Sequence, residues 1–296
     1  MEEMVIKEQF NIAKLENDFI SYLDVSELTV KAYKDGIHCF INFLNENNIK
    51  KPTRDDFKAF RETLKGNMTT NTINSYLTAT RCFFKYLELN GIYENITKDV
   101  KSIKTSNVPK KQTLTEEQCK QIYNSLTDKR EKLIFSLAVT TGLRANEIAL
   151  AKIENIKMYN GEVVLFVKCK KRDDESEYVK LSDEVLDNIK TYIEHRTNGY
   201  IFVSNSNHNK NNGVTNTTIR RIVKDILRRN GIDSDYFSCH SLRKTCATLS
   251  YMNGASIYDI QQVLHHKSIN TTSRYVSEFA RNNNNIEKNI SSMLFS

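Results

Sequence analysis

The chain has 296 residues, with 43 Lys and Arg against 36 Asp and Glu and a formal charge of +7, enough for one large or two ordinary domains, each with its own core. No run of 18 apolar residues occurs and the acidic start, MEEMVIKEQF, has no long apolar stretch, which argues against a spanning helix and a signal peptide. Six scattered cysteines, none in a C-x-x-C pair, argue against a zinc ribbon or redox dithiol and point to a reducing, cytoplasmic compartment.

Residues 10–92 read as helix after helix. Phe10, Ala13, Phe19, Ile20 and Leu23 give one stripe, and Val30, Tyr33, Ile37, Phe40, Ile41 and Leu44 a second, at spacings of three and four. Thr53 can cap a third helix, with Asp55 and Asp56 in the first turn where the helix dipole favours carboxylates. Ile73, Leu77, Thr80, Phe84 and Leu87 form a fourth stripe, stopped by Asn90-Gly91. A bundle of four or five helices is expected over residues 1–96.

Between 97 and 112 the apolar period disappears. KDVKSIKTSNVPKKQ holds one of the two prolines and five lysines, and reads as an extended basic linker. Positive charge bunches again at Lys168–Arg172 and Arg220–Arg229. Grouped charge of this kind is a footprint for phosphate backbones, although each run alone is also what a solvated face looks like.

Residues 113–296 have a different texture. Thr115 with Gln118 makes a capping box, and Leu133, Phe135, Leu137 and Ala138 mark a helix ending at Gly142. Val163–Val167 and Tyr178–Leu181 pair as strands across the charged hairpin KCKKRDDESE. Helices are expected near 183–197, 215–230, 241–253 and 256–265, with a short strand at Ile201–Val203. The fold class is mainly α: a helical bundle, then an α-rich domain with a small antiparallel sheet.

Four segments of the second domain stand out: T-G-L-R-A-N-E at 141–147, the lysine hairpin, H-S-L-R at 240–243, and L-H-H-K-S-I-N-T-T-S-R-Y at 264–275. Singly each is ordinary. Gly142 reads as a helix C-cap, Arg144 as a helix-start arginine pairing with Glu147, and His240 and Arg243 share a helix face. His265-His266 lacks a third ligand at metal-site spacing, so no metal is expected.

In this order the segments resemble the tyrosine recombinase (phage integrase) family over nearly the whole chain, including Thr29–Tyr33 and the R-C-F-F-K-Y-L helix at 81–87. The resemblance implies a tyrosine recombinase fold, with a SAM-like core-binding domain at 1–96, the linker at 97–112 and a catalytic domain at 113–296. It implies that Tyr275 is the nucleophile, that Arg144 and Arg243 clamp the scissile phosphate, and that His240 and His266 hydrogen-bond to it. Lys168 would protonate the departing 5′-oxygen, with Lys170 the competing choice, and Glu147 would orient the group. The chain departs from the family pattern at His265, where glycine is usual, at Cys239, often proline, and in the longer hairpin, which reads V-K-C-K.

Elementary chemistry agrees. A tyrosine hydroxyl with a pKa near ~10 is a poor nucleophile at neutral pH. Two guanidiniums match phosphate oxygens bidentately and stabilise charge developing on the phosphorane. No acidic metal cluster or phosphate-binding glycine loop is visible, so no cofactor is expected. Beyond Tyr275, Ile286, Ile290, Met293 and Leu294 form an apolar stripe after Asn282–Asn285. In the family such a tail docks into a neighbouring subunit, which implies a homotetramer on double-stranded recombination sites. The bundle starts almost at once, which fits an Xer-like or small mobile-element enzyme without an arm-binding domain. A type IB topoisomerase and a DNA-binding protein retaining the fold are the competing readings.

Overall fold

The structure, a computed structural model, describes residues 12–104, 112–168, 177–204, 212–283 and 285–295. The chain divides into two compact units, Met1–Asn107 and Val108–Ser296. No described helix is long and apolar enough to cross a membrane.

The first unit packs α1 (Ile12–Tyr22), α2 (Glu27–Glu46), α3 (Arg54–Thr63) and α4 (Thr70–Leu89). Local chemistry sets the ends: the Thr53 N–H donates to the Asp56 carboxylate at 2.7 Å at the start of α3, and Asn90 followed by Gly91 at φ +65 ends α4. Its core is a phenylalanine cluster, with Phe40 meeting Phe60 edge-on at 5.0 Å and Phe84 at 5.8 Å. Each such ring contributes about 1.5–3 kcal/mol on burial. Gly36 lets α2 approach α4, since a β-carbon there would lie 2.8 Å from the Ala79 β-carbon.

Residues 97–104, expected as the start of an extended linker, are instead held to this unit. Arg81 Nη2 donates to the Val100 carbonyl at 2.8 Å, and the Asn74 amide exchanges two 2.9 Å bonds with the backbone of Ile103. Apolar periodicity cannot reveal such a segment, because side chains from other helices hold its backbone. Residues 105–111 lie outside the described residues.

In the second unit α5 (Glu116–Ser125) starts at the Thr115–Gln118 capping box. Next comes α6 (Lys129–Thr140), whose Leu133, Ile134, Phe135, Leu137 and Ala138 are all fully buried, so it forms the centre of the core. After α7 (Ala145–Leu150), β1 (Ile156–Tyr159), β2 (Glu162–Val167) and β3 (Glu177–Lys180) form an antiparallel sheet in the order β1-β2-β3. The expected β2–β3 pairing is present, with Phe166 opposite Tyr178 and Val167 opposite Glu177. β1 has no sequence signature because three of its four residues face solvent. The expected strand at 201–203 is only flanked by isolated bridges, Lys152 with Tyr200 and Val203 with Gly213, while Ile201 and Phe202 are buried.

Five helices complete the unit: α8 (Asp183–Ile193), α9 (Asn216–Arg229), α10 (Cys239–Met252), α11 (Ile257–Val263) and α12 (Ile269–Asn283). Last comes α13 (Ile286–Phe295). Two stop earlier than apolar spacing predicts, α8 before Glu194 at φ +55 and α11 before His265 at φ +48. The second early stop shapes the site.

Candidate active site

The site starts from the sharp turn after α6. Gly142 has φ +64, and a β-carbon there would lie 2.4 Å from the Leu264 side chain and 3.3 Å from the Cys246 sulfur. Only glycine fits both the left-handed backbone and the close approach. The turn delivers Arg144 to the N-cap of α7. There the Glu147 carboxylate accepts from the Arg144 backbone N–H at 2.8 Å and from its Nη1 at 2.6 Å. Glu147 is 2% exposed, and Arg243 Nη1 lies 3.9 Å away on its other side. A buried carboxylate between two guanidiniums is compensated, and it fixes the position of both cations.

On α10 the expected three-residue spacing of His240 and Arg243 is present, with a division between them. His240 is exposed and Arg243 is buried. Arg243 Nη1 donates to the Gly142 carbonyl at 2.6 Å and Nη2 donates to the Leu264 carbonyl, so one side chain ties together the two loops that carry the site. Its Nε is buried and has no hydrogen-bond partner within the protein. Burial, then repulsion from Arg144, lowers its pKa from the usual value, with Glu147 acting against both.

Tyr275 projects from α12, and its backbone carbonyl accepts from Thr248 Oγ1 on α10 at 3.5 Å. The phenol oxygen lies 2.9 Å from His240 Nε2. The ring stands edge-on to both imidazoles, with centroids 5.4 Å from His240 and 5.2 Å from His266. Burial raises the phenol pKa, and the positive fields of Arg243 and Arg144 offset it only in part. The hydroxyl is therefore protonated at neutral pH, and attack requires an acceptor for its proton.

His266 is seated by its own loop, its N–H donating to the Gln261 carbonyl at 3.0 Å while Gln261 Nε2 donates to the His266 carbonyl at 2.9 Å. Its Nδ1 lies 2.9 Å from Oγ1 of the fully buried Thr272. Burial first, then Arg243 and Arg144, push its pKa down to about 3, so the ring is neutral.

A cavity of ≈ 400 Å³ opens beside these groups, lined by Arg144, Arg220, Ser238, Cys239, His240 and Arg243, with Ala145. Burial pushes the Cys239 thiol up to about 11, so it is not a thiolate nucleophile. Among the described residues no group of three or more His, Cys, Asp or Glu side chains is arranged to hold a metal ion.

The structure thus gathers Arg144, Glu147, His240, Arg243, His266 and Tyr275. Lys168 follows the last residue of β2, is exposed, and does not line this cavity. Lys170 lies outside the described residues. His265 turns away, its Nε2 3.0 Å from the Tyr178 carbonyl oxygen. Sequence reasoning did not single out Arg220 or Thr272. Arg220 sits in a basic run already noted, and Thr272 lies three residues before Tyr275, one helical turn away, which was the available signal.

This arrangement places the chain among the enzymes that use a tyrosine to recombine DNA. Residues 112–281 match the phage integrase family and residues 16–91 its N-terminal SAM-like domain, and the chain belongs to that family. A tyrosine recombinase of Thermosipho africanus (strain TCF52B) is 30% identical over 265 residues, covering 85% of this chain and 89% of the relative. Among solved structures, the XerH site-specific recombinase bound to palindromic difH substrate in a post-cleavage complex superimposes with a TM-score of 0.73 at 21% identity, over 95% of this chain and 84% of that one. The lambda integrase tetramer bound to a Holliday junction gives 0.70 at 17% identity, over 90% and 77%. At these identities the two structures speak for the fold, which is the tyrosine recombinase fold.

Proposed function

We propose that the protein cleaves and rejoins double-stranded DNA at recombination sites in the cytoplasm, through a 3′-phosphotyrosine at Tyr275. The hydrogen bond between the Tyr275 phenol and His240 Nε2 carries this reading, because it couples the nucleophile to a base beside two arginines.

The Tyr275 oxygen attacks the scissile phosphorus while its proton passes to His240 Nε2. The bond from phosphorus to the 5′-oxygen breaks, and Lys168 supplies a proton to that oxygen. Arg144 and Arg243 hold the non-bridging oxygens. His266 is neutral, and in the tautomer whose Nδ1 accepts from the Thr272 hydroxyl its Nε2 hydrogen is the one offered to the phosphate. Glu147 orients both arginines. The phosphotyrosine conserves the energy of the phosphodiester, so attack by a new 5′-hydroxyl reverses the steps without an external energy source.

Residues 1–96, with 97–104 docked on them, serve as the core-binding clamp, the rest of the basic stretch up to 112 as the connection, and 113–296 as the catalytic domain. The protein works as a homotetramer on DNA, with α13 docking on a neighbouring protomer. Three observations favour the tail's role: Ile286, Met293 and Leu294 are each more than half exposed, α13 has no buried residue, and the lambda integrase neighbour is a tetramer.

The test is Tyr275→Phe on a nicked substrate that traps the cleaved intermediate. Covalent adducts are expected to vanish while binding is retained. Adducts that persist would place the nucleophile elsewhere.

A further inference from the structure

His265 stands where the backbone turns left-handed, at φ +48, just beyond α11. Glycine is the residue such a turn ordinarily takes, because a β-carbon crowds the backbone there. An imidazole at this position therefore invites the question of what its side chain does.

The ring reaches to the sheet. His265 Nε2 lies 3.0 Å from the carbonyl oxygen of Tyr178 on β3. A carbonyl only accepts, so Nε2 carries the hydrogen, in the neutral and the charged ring alike. The strand register shows why that carbonyl is available. The Leu181 N–H donates to the Val163 carbonyl at 3.0 Å, so those residues form a hydrogen-bonded pair. Such pairs alternate along an antiparallel ladder, which makes Tyr178 and its partner Phe166 a non-hydrogen-bonded pair. The Tyr178 carbonyl therefore points to the outer edge of β3, away from β2. On that side a cleft of ≈ 560 Å³ separates β3 from the ends of α6, α10 and α11, and His265 lines it.

The two ends of this bridge are significant. Phe166, opposite Tyr178, stands two residues before Lys168 on the same strand pair. His265 is the chain neighbour of His266, whose ring meets Tyr275 edge-on at 5.2 Å. We propose that His265 is a positioning residue, holding the strand pair that bears Lys168 in register with the loop that bears His266 and faces Tyr275. The inference rests on the reading of Lys168 as the acid for the leaving group.

The test compares the full-length parent and its His265→Gly variant in single-turnover cleavage of two nicked substrates. One has the ordinary 5′-oxygen at the scissile phosphate and the other a bridging 5′-sulfur, which leaves as a thiolate without needing a proton. Glycine suits the backbone at this φ, so the variant keeps its fold. A displaced acid should slow cleavage of the oxygen substrate by about 10-fold to 100-fold. The sulfur substrate should be cleaved at close to the parent rate. Equal slowing of both substrates, or slowing of neither, would overturn the proposal.

Lys168→Ala, run alongside, should show the same oxygen-selective loss. If it slows both substrates alike, the reading of Lys168 fails, and hydrogen exchange of the Val179 and Leu181 amides decides the bridge separately. Faster exchange in His265→Gly than in the parent supports the bridge, and unchanged exchange overturns it.

Discussion

His240 Nε2 and the phenol oxygen of Tyr275 lie 2.9 Å apart, while the two rings meet edge-on with an interplanar angle of 83°. The bond joins α10 to α12, so the proposed nucleophile and its proposed proton acceptor come from helices fixed against one another by Cys246, Ala247, Leu264 and Val276. Burial raises the Tyr275 pKa, so the phenol cannot ionise ahead of attack at neutral pH. His240→Ala is expected to slow adduct formation by roughly 10²–10⁴, the usual contribution of a positioned base. The measurement is single-turnover cleavage, and an unchanged rate would remove His240 from the proton path.

The two arginines should separate in their effects. Arg243 is buried and holds the Gly142 and Leu264 carbonyls, whereas the Arg144 side chain is 35% exposed. Arg243→Ala removes both donors and half the compensation of buried Glu147, so a loss of about 3–5 kcal/mol in stability is expected. Arg243→Lys should recover little of this, since a single ammonium cannot span two carbonyls as a planar guanidinium does. Arg144→Ala should cost less stability while lowering the cleavage rate by roughly 10²–10³. Urea unfolding set beside cleavage rates checks the contrast.

His266 gives the stability a pH dependence of known sign. Its folded-state pKa is pushed down to about 3, while the ordinary value is 6.5. Between these values the unfolded chain binds the extra proton, so stability is complete above pH 6.5 and falls as the pH drops towards 3. The slope from this group is at most about 1.4 kcal/mol per pH unit. His266→Gln lacks the term, so the stability difference between parent and variant should hold constant above pH 6.5 and shift in the variant's favour below it. Parallel curves from pH 8 to 5 would contradict the buried, neutral imidazole.

Deletion of residues 286–296 should leave the melting temperature close to that of the parent, because α13 has no buried residue. Cooperative assembly on DNA carrying two sites should be lost, as followed by gel mobility and sedimentation. Binding by the parent should weaken with salt at a slope of about −0.9 per phosphate neutralised. Unchanged cooperativity after the deletion would show that the tail does not join protomers.

Much of this molecule was legible in one dimension. Caps and stripes act over three or four residues, so Thr53 with Asp56, Thr115 with Gln118, and Arg144 with Glu147 could be read directly, as could the β2–β3 hairpin. The ordered motifs also identified the family. Interactions spanning long sequence separations were beyond that reading. Arg243 reaches Gly142 across 101 residues, and His265 reaches Tyr178 across 87. No local periodicity records either pairing, because each depends on helices and strands that meet only when the core closes. The same limit hid β1, whose exposed face leaves no apolar pattern, and the docking of residues 97–104, whose partners lie on α3 and α4. Sequence by itself determined the family and the fold class. Tertiary packing decided which nitrogen meets the phenol, which arginine is spent on holding loops together, and that the histidine at a glycine position bridges to the sheet.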